Sequence, residues 1–469
     1  MNPAIWGIGT YLLITLGIGY WVSRTIKNDD DYLLGGRSFG YPLVIFSVFA
    51  TWFGAETCVS SAAAVYESGL SGSSVEPVGY AFCILFMGAV FAIPLHKRGL
   101  TTLGDLFEQR FSKRTATVAV ILMIPTSLIW AAAQIMAFGQ VLSVNTGWGL
   151  AESISAATLV IVIYTAMGGL RADAITDLIQ GILLIIGLAI VFMSVIQASG
   201  GFQESLDKVD PSRMNFFAFE EGTGWLGALE MWAIPICGSV IAQELIARVL
   251  AARNASVARN GTILGGMLYL LIGLMPVYLG LVGGQLLETV DDPEQLVPRL
   301  AQEYLPSFLY IVFTGALLSA ILSTVDSALL ACGALLSHNI IRPMNKNLST
   351  KTSLLLTRAA VVACGLIAYL VALDAEKIYE LIEMASSFGT SGIFVIMVMG
   401  LFSKIGDNRA AIATMGIGLL SYVTAEFIMT DFPYSFITSL GCSIITYLAL
   451  SSIRTHQKNS GTGGKLQES

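Results

Sequence analysis

Charge is scarce in this sequence. Asp, Glu, Lys and Arg make up 12% of the 469 residues, whereas 55% are hydrophobic. Soluble domains carry about 25% charged residues, so an ordinary soluble protein is excluded and a polytopic membrane protein is predicted. In such a chain the net charge of −7 indicates no affinity for nucleic acid, and we expect no nucleic-acid partner.

Histidine is rare, and the cysteines follow no metal-binding pattern. The three histidines, His96, His338 and His456, lie at the ends of apolar runs or near the C-terminus, without a catalytic constellation around them. We therefore predict that the protein is not an enzyme. The six cysteines lie within apolar runs without CxxC or Cys/His spacing, which favours reduced, packed thiols over disulfides or metal ligands.

Long apolar runs dominate what is present. They are separated by Gly, Pro and charged residues, and each is long enough to cross a bilayer. We predict thirteen spans, at about 4–22, 41–68, 75–96, 117–145, 150–168, 174–197, 224–252, 260–286, 306–340, 352–373, 377–402, 408–427 and 432–453.

Basic residues set the predicted orientation. The loops on one side of the predicted membrane hold 21 of the 25 Lys and Arg residues, and the opposite loops hold Lys208, Arg213, Arg299 and Lys377. Since basic loops stay in the cytoplasm, we expect a multi-pass protein of the inner (plasma) membrane. Its N-terminus would lie outside and its C-terminus in the cytoplasm. Apart from the lipid bilayer and small molecules, no partner is evident.

The second span contains polar residues at mid-depth. Residues 50–57 read Ala-Thr-Trp-Phe-Gly-Ala-Glu-Thr, which places Trp52 and Glu56 on one helical face. A carboxylate costs about 2.5–3.5 kcal/mol at the centre of a bilayer, which indicates a binding site for a cation. The alternative is that Trp52 packs and Glu56 pairs with a neighbouring helix.

A cluster of oxygen ligands lies on the ninth span. Ser323, Thr324, Asp326 and Ser327 bring three hydroxyls and a carboxylate within little more than one helical turn. Hard cations prefer oxygen ligands of this kind. The alternative is that the small hydroxyl residues only help helices to pack.

The sixth span opens with a Gly168-Gly169 turn. Arg171 and Asp173 follow it directly, and we interpret them as interfacial and structural. Asp177 lies a turn further inside, where an ionised side chain needs a partner. Either a cation or another side chain would provide one.

The seventh span is interrupted by Pro235 and Gly238, as the second is by Gly54. Near its basic end, Glu244 is expected to pair with Arg248 rather than to bind a ligand. Two broken spans five apart are typical of two five-helix units in inverted repeat. The predicted units are 41–197 and 224–402, with an extra helix and cytoplasmic loop at 1–40 and an outside loop at 198–223. Two further helices follow at 403–453, and a disordered tail at 454–469.

Two motifs resemble the sodium/solute symporter family. They are Gly168-Gly-Leu-x-Ala with Thr176-Asp177-x-x-Gln180, and Ala320-x-x-Ser323-Thr324-x-Asp326-Ser327. The resemblance implies an all-α membrane protein of about 13 transmembrane helices with a five-plus-five inverted repeat and a LeuT-like core. It also implies two sodium sites. The first combines the carbonyls of Ala50, Phe53 and Ala320 with the hydroxyls of Ser323 and Thr324, and the second combines Asp177 with Ser323, Asp326 and Ser327.

Within that family the sequence looks most like the high-affinity choline transporters. The run Ala50-Thr-Trp-Phe-Gly resembles their Ala-Thr-Trp-Val-Gly. This resemblance implies that Trp52, Tyr80 and Trp130 form an aromatic cage for a quaternary ammonium. Two positions depart from that branch. Ala242, beside Gln243, stands where a further cage tryptophan is expected, and Glu56 replaces a glycine, as in sugar-transporting members.

Together these features predict a sodium-coupled symporter that imports a small organic solute by alternating access. The predicted solute is a cationic or zwitterionic amine, bound by Trp52, Glu56, Tyr80, Trp130 and Gln243. Two alternatives remain open. One is a sodium symporter for a neutral solute such as a sugar or an amino acid, and the other is a transporter-like sensor without coupled transport.

Overall fold

The structure is a computed structural model that describes residues 3–217, 224–287, 290, 292–345, 348–375, 378–429 and 432–462. Over these residues the chain is helical. Its one β-type pairing is the isolated bridge between Phe39 and Ala252. Some predictions concern residues outside the described ranges, including the basic residue Lys377 and part of the outside loop 198–223.

Ten helices form the first part of the described chain. They are α1 (Pro3–Ser23), α2 (Asp29–Leu34), α3 (Tyr41–Trp52), α4 (Ser61–Ser68), α5 (Tyr80–Phe86), α6 (Ala92–Lys97), α7 (Leu103–Arg110), α8 (Lys113–Thr146), α9 (Leu150–Ala198) and α10 (Phe202–Asp207). Wide π-helical turns join α4 and α6 to the residues that precede them, at Glu56–Ser60 and Met87–Phe91.

Eleven helices form the second part. They are α11 (Gly224–Ala233), α12 (Gln243–Ala251), α13 (Ala255–Gly283), α14 (Leu296–Tyr304), α15 (Ser307–Ala334), α16 (Arg342–Met344), α17 (Thr350–Asp374), α18 (Ile378–Ser387), α19 (Thr390–Phe402), α20 (Asn408–Val423) and α21 (Ser435–Thr462). The last helix reaches Thr462 and so extends into the segment 454–469, for which the sequence predicts disorder.

Side-chain caps define where several long helices begin. Ser112, Asn254, Ser349 and Asp407 each accept a hydrogen bond from a backbone N–H in the first turn of α8, α13, α17 and α20. Such caps satisfy donors that have no partner within the helix. Since the caps are polar, the first three of these helices begin a few residues before the apolar spans that the sequence predicts.

The number of spans stays a prediction. Among the described residues, nine helical stretches are long and apolar enough to cross a membrane, or ten if the bent pair Gly224–Gly238 and Gln243–Ala251 forms one span. Helix α9 covers the predicted spans 150–168 and 174–197, and the stretch Glu56–Lys97 covers all of the third span and part of the second. The apolar helices Leu13–Ser23 and Tyr41–Trp52 are shorter.

The predicted turn at Gly168-Gly169 is confirmed. Gly169 has φ 58° and ψ −175°, which interrupts the helical conformation inside α9. The Tyr164 hydroxyl lies 2.6 Å from Thr176 Oγ1, although twelve residues of straight helix would separate the two positions by about 18 Å. The chain therefore folds back at this turn, against which Tyr32 packs by donating to the Thr165 carbonyl at 3.1 Å.

Both predicted breaks in the second and seventh spans are also confirmed. Helix α3 ends at Trp52, and Phe53 has the non-helical angles φ −93° and ψ 67°. Helix α11 and the turn after it end at Gly238, and α12 begins at Gln243 in a direction that differs by 48°. A side chain at Gly238 would collide with the Ser386 carbonyl, so the break allows two backbones to approach closely.

Helix α15 lies at the centre of the protein, against α3, α8 and α9. Its residues from 316 to 334 are all buried, including Ser319, Ser323, Thr324, Asp326 and Ser327. Polar groups in such a place need partners within the protein. The break after α3 and the break in the seventh span bring those partners to α15 and to its neighbouring helices.

We expect Gly169→Ala to destabilise the protein by about 1–3 kcal/mol because a residue with a Cβ rarely adopts this conformation. Its Cβ would also lie 2.7 Å from Tyr32. The measurement is the thermal unfolding midpoint of the purified protein. Gly315→Ala, in α15, is the matched control, since its Cβ meets no atom within 4 Å, and its midpoint should stay unchanged or rise. Equal midpoints for both variants would contradict this account of the turn.

Candidate functional site

Four of the five residues predicted for the first sodium site meet between α3 and α15. The Ser323 hydroxyl donates to the carbonyls of Ala50 and Ala320 at 2.9 and 2.8 Å. The Thr324 hydroxyl approaches the same two carbonyls at 3.3 and 3.2 Å. Two hydroxyls and two carbonyls therefore form one small cluster of neutral oxygens. The fifth residue, Phe53, lies directly after the end of α3.

The local sequence explains why these oxygens are accessible. Ala50 lies in the last turn of α3, where carbonyls lose their partners within the helix. Gly54 follows the break, and a Cβ on it would lie only 2.8 Å from Thr324 Oγ1. The backbone after α3 can therefore pass close to α15 only because residue 54 has no side chain.

Glu56 lies next to this oxygen cluster. It is 2% exposed, and its Oε2 accepts a hydrogen bond from Gln134 Nε2 at 2.6 Å, whereas Oε1 has no partner. Glu56 Oε2 and Thr324 Oγ1 both lie within 2.8 Å of the point where a Gly54 Cβ would stand. The two oxygens are therefore no further apart than twice that distance. Gln134 was not predicted, although an amide in the middle of the apolar run of α8 was a usable signal.

A second hydrogen-bond network is centred on the acidic residue Glu76 and includes Thr57, which follows the break after Trp52. The Thr57 hydroxyl donates to Glu76 Oε1 at 2.7 Å, the Tyr269 hydroxyl donates to the same oxygen, and Glu76 Oε2 has no partner. Glu76 is 6% exposed. Sequence analysis missed it, although a charge directly before Pro77 within an apolar run was a usable signal.

Arg248 lies among residues predicted for the second sodium site. Its guanidinium is fully buried and forms an ion pair with Asp173, and it lies 3.7 Å from Asp177. It also donates to the hydroxyls of Ser327 and Ser47. The interpretation of Asp173 as interfacial is therefore wrong in its position, since this side chain is buried and carries the central ion pair.

The expected pair between Glu244 and Arg248 is not present. Arg248 Nη1 donates to the backbone carbonyl of Glu244 at 3.2 Å, while the rest of the guanidinium faces Asp173. Within the described ranges, Glu244 forms no ion pair at all, and its Oε2 has no hydrogen-bond partner. The i,i+4 spacing places Glu244 and Arg248 on one face of α12. The Arg248 guanidinium instead contacts side chains of three other helices, α3, α9 and α15.

The other members of the predicted second site have different neighbours. Asp177 Oδ2 accepts from Ser47 at 2.6 Å, and Asp326 Oδ1 accepts from Thr165. The Ser327 hydroxyl contacts Arg248, Asp173 and the Ser323 carbonyl. The structure thus brings Asp177 and Ser327 together around Arg248, whereas the contacted oxygen of Asp326 faces Thr165. Asp177 Oδ1 and Asp326 Oδ2 have no partners.

The three predicted aromatic residues form one packed group. The ring centroids of Trp52 and Tyr80 are 5.4 Å apart, those of Trp52 and Trp130 are 5.8 Å apart, and those of Tyr80 and Trp130 are 6.0 Å apart. The Tyr80 hydroxyl is 2.8 Å from Ser386 Oγ. The rings contact one another, so they form an aromatic wall rather than an open cage.

A pocket lies beside this wall. It is bounded by Trp52, by α8 from Met123 to Trp130, by the broken segment 238–244 except Val240, and by residues from 385 to 390. Of the residues predicted to bind substrate, Trp52, Trp130 and Gln243 line it. Tyr80 and Glu56 are not among its lining residues. Glu244, which was not predicted for the site, lines the pocket as well.

Comparison with known proteins shows the family of this chain. Residues 32–418 match the model of the sodium:solute symporter family. The chain is 25% identical over 442 residues to the high-affinity choline transporter 1 of Caenorhabditis elegans, covering 87% of this chain and 75% of that protein. It is also 26% identical over 471 residues to the sodium/glucose cotransporter of Vibrio parahaemolyticus, covering 91% and 84%.

One solved structure has the same fold. It is the substrate-bound outward-open state of a Na+-coupled sialic acid symporter, with a TM-score of 0.84 and 18% identity over 96% of this chain and 98% of that chain. This likeness confirms the predicted all-α, five-plus-five architecture. The identity is too low to transfer a ligand or a site.

We expect Gly54→Ala to disturb the oxygen cluster without unfolding the protein. The new Cβ would lie within 2.8 Å of Thr324 Oγ1, Glu56 Oε2 and Gln134 Oε1, and side chains can move apart more easily than backbone. The measurement is the rise in the thermal unfolding midpoint caused by sodium chloride, compared with potassium chloride. The variant should lose most of that rise, whereas Gly315→Ala should keep it. A full sodium response in Gly54→Ala would mean that the cluster does not bind the ion.

Proposed function

Because the chain belongs to the sodium:solute symporter family, we propose that it imports a small organic solute together with sodium by alternating access. The proposed solute is a cationic or zwitterionic amine. The protein would act in the plasma membrane, with its N-terminus outside and its C-terminus in the cytoplasm. In this proposal the protein moves its solute across the membrane without changing it chemically, so it is a transporter and not an enzyme.

The observation that carries this proposal is the oxygen cluster between α3 and α15. The carbonyls of Ala50 and Ala320 and the hydroxyls of Ser323 and Thr324 lie within hydrogen-bond distance of one another. Sodium would be coordinated by lone pairs of all four oxygens, with the two hydroxyls turning their O–H bonds away from the carbonyls and with the Phe53 carbonyl as the fifth ligand. Hard monovalent cations favour such oxygens.

Sodium at this position would connect two parts of the fold. Its ligands belong to the end of the broken second span and to the centre of the ninth, so binding would hold these elements together and favour one arrangement of the transporter. Each sodium ion that moves inward gains about 2.3 kcal/mol per 100 mV of membrane potential. A substrate with a net positive charge would gain the same amount directly.

Glu56 is proposed to support both sites. The ligands of the first sodium site are neutral, and Glu56 brings a carboxylate close to Thr324 Oγ1. It also lies one helical turn after Trp52 in the sequence. We infer that its charge strengthens sodium binding and that sodium, in turn, affects the substrate site through this segment.

The second sodium site remains a proposal. Asp173, Asp177 and Asp326 would carry three negative charges against the single positive charge of Arg248, and Asp177 Oδ1 and Asp326 Oδ2 have no partners. A cation coordinated by Asp177, Asp326, Ser323 and Ser327 would reduce this excess. Arg248 already contacts two of these residues, so such an ion would share them with the guanidinium.

The substrate site is proposed at the pocket beside the aromatic wall. Trp52 and Trp130 line the pocket, and Tyr80 packs against both indoles. A cation over such ring faces gains about 2 kcal/mol when it is desolvated. Gln243 adds a hydrogen-bonding group in the same pocket. The name of the nematode relative, a choline transporter, agrees with an amine.

In proteoliposomes, uptake should require an inward sodium gradient. Ser323→Ala and Thr324→Ala should each raise the sodium concentration for half-maximal uptake about tenfold, since each removes one ligand from the ion. Thr117→Ala, near the start of α8, is a control that removes a hydroxyl away from the pocket. The same assay gives the number of sodium ions per solute, and a value of two would support the second site. Equal uptake with potassium in place of sodium would contradict the coupling.

Trp52→Ala should weaken substrate binding much more than Trp52→Phe. Phenylalanine keeps a ring face for a cation, whereas alanine removes it, a difference of about 2 kcal/mol or thirtyfold in affinity. The measurement is competition by amines, sugars and amino acids against sodium-driven uptake. If the two variants behave alike, or if only sugars compete, Trp52 is a packing residue and the amine proposal is wrong.

A further inference from the structure

Glu244 is a buried acid that lacks the partner its sequence position suggests. The neighbouring cation, Arg248, directs its guanidinium to Asp173, Asp177 and Ser327. Its contact with Glu244 is a hydrogen bond to the backbone carbonyl at 3.2 Å. The Glu244 side chain therefore forms no ion pair with Arg248, which is the one basic residue within a helical turn of it. This is unexpected for an acid that is only 5% exposed.

The carboxylate of Glu244 lies on the wall of the pocket beside the aromatic residues. The Ser127 hydroxyl forms a hydrogen bond to it, and Oε2 remains without a partner. Glu244 is the second residue of α12, which begins at Gln243. The N-terminal end of a helix stabilises a negative charge, which offsets part of the cost of burying this carboxylate.

Two residues that line the same pocket carry a buried hydrogen-bond donor without a partner. They are Trp52, at Nε1, and Gln243, at Nε2. Both residues are almost completely buried, at 3% and 1% exposed. Gln243 is held in position by its other amide atom, since Oε1 accepts from the Leu103 N–H at 2.9 Å. Buried donors and acceptors without partners are costly, and a bound solute would satisfy them.

We propose that Glu244 is the counter-ion for an ammonium group of the substrate that bears at least one N–H. We also propose that Trp52 Nε1 and Gln243 Nε2 donate to a carboxylate on the same molecule. The substrate class is then a small zwitterionic amine. This inference rests on the proposed function, since it names the solute that the pocket of a sodium symporter would bind.

The proposal separates two chemically similar groups of solutes. A quaternary ammonium can lie over Trp52 and Trp130, but it has no N–H to donate to Glu244. A primary, secondary or tertiary ammonium can contact the rings and also form a charge-assisted hydrogen bond to Oε2. Methylation of the nitrogen should therefore reduce affinity once the last N–H is lost, even though the net charge of the solute stays the same.

The test uses glycine and its N-methyl, N,N-dimethyl and N,N,N-trimethyl derivatives. Each step removes one N–H and keeps the carboxylate and the net charge. Binding to the full-length protein in sodium chloride is measured by isothermal titration calorimetry. In the wild type, the trimethyl compound should bind about tenfold more weakly than the dimethyl compound, because the hydrogen bond to a charged acceptor is lost.

Glu244→Gln should remove that preference. Affinity for the derivatives with an N–H should fall about tenfold or more, whereas affinity for the trimethyl compound should change much less. Glu244→Asp keeps the charge and should restore part of the preference. Glu108→Gln is the control, since Glu108 is an exposed acid on α7. A sodium-induced thermal shift equal to that of the wild type shows that each variant is folded.

Two results would overturn the inference. One is an unchanged order of affinities in Glu244→Gln, and the other is that no member of the series binds in the presence of sodium. Sodium-driven uptake of a different solute would then leave the proposed symport intact while the assignment of Glu244 fails. Absence of any sodium-driven uptake would instead contradict the proposed function itself.

Discussion

The ion pair between Arg248 and Asp173 is the interaction on which the centre of this protein depends. It joins α12 to α9, and further hydrogen bonds from the same guanidinium reach Ser47 on α3 and Ser327 on α15. These four elements include both halves of the predicted repeat. Removing one partner of a fully buried pair leaves an uncompensated charge, which costs about 3–5 kcal/mol. The guanidinium therefore fixes how the second part of the broken seventh span faces α3, α9 and α15.

This pairing determines the chemistry of the surrounding residues. Since Arg248 is held by Asp173 and Ser327, Glu244 remains free to face the pocket, and Asp177 keeps an oxygen without a partner. Ser323 and Thr324, which supply the hydroxyls of the neutral oxygen cluster, lie about one helical turn before Ser327 on α15. This cluster has an acid beside it at Glu56, and the pocket has a separate acid at Glu244. Proposed sodium and substrate binding would share the segment from Trp52 to Glu56.

Part of the site could be predicted because local sequence carries its signal. The hydroxyls of Ser323 and Thr324 and the break after Trp52 stand out against an apolar background, where polar residues are costly. The same reasoning identified Trp52, and the resemblance to the choline transporters added Trp130 and pointed to Gln243; all three line one pocket. Sequence reasoning missed Gln134, Glu76 and Tyr269, although the first two are polar residues within apolar runs. Their partners lie on other helices, so their hydrogen bonds depend on contacts between distant parts of the chain.

The sequence by itself determined the membrane class, the approximate positions of the helices, the turn at Gly169 and the two broken spans. Hydropathy and glycine act locally, so these features do not need the rest of the fold. Only the tertiary structure decided which acid Arg248 pairs with, and therefore that Glu244 faces the pocket while Asp173 is neutralised. An i,i+4 spacing allows a salt bridge worth a few tenths of a kcal/mol. A buried guanidinium instead turns to the site where several helices together supply a carboxylate and hydroxyls, because there alone its charge and its donors are all satisfied.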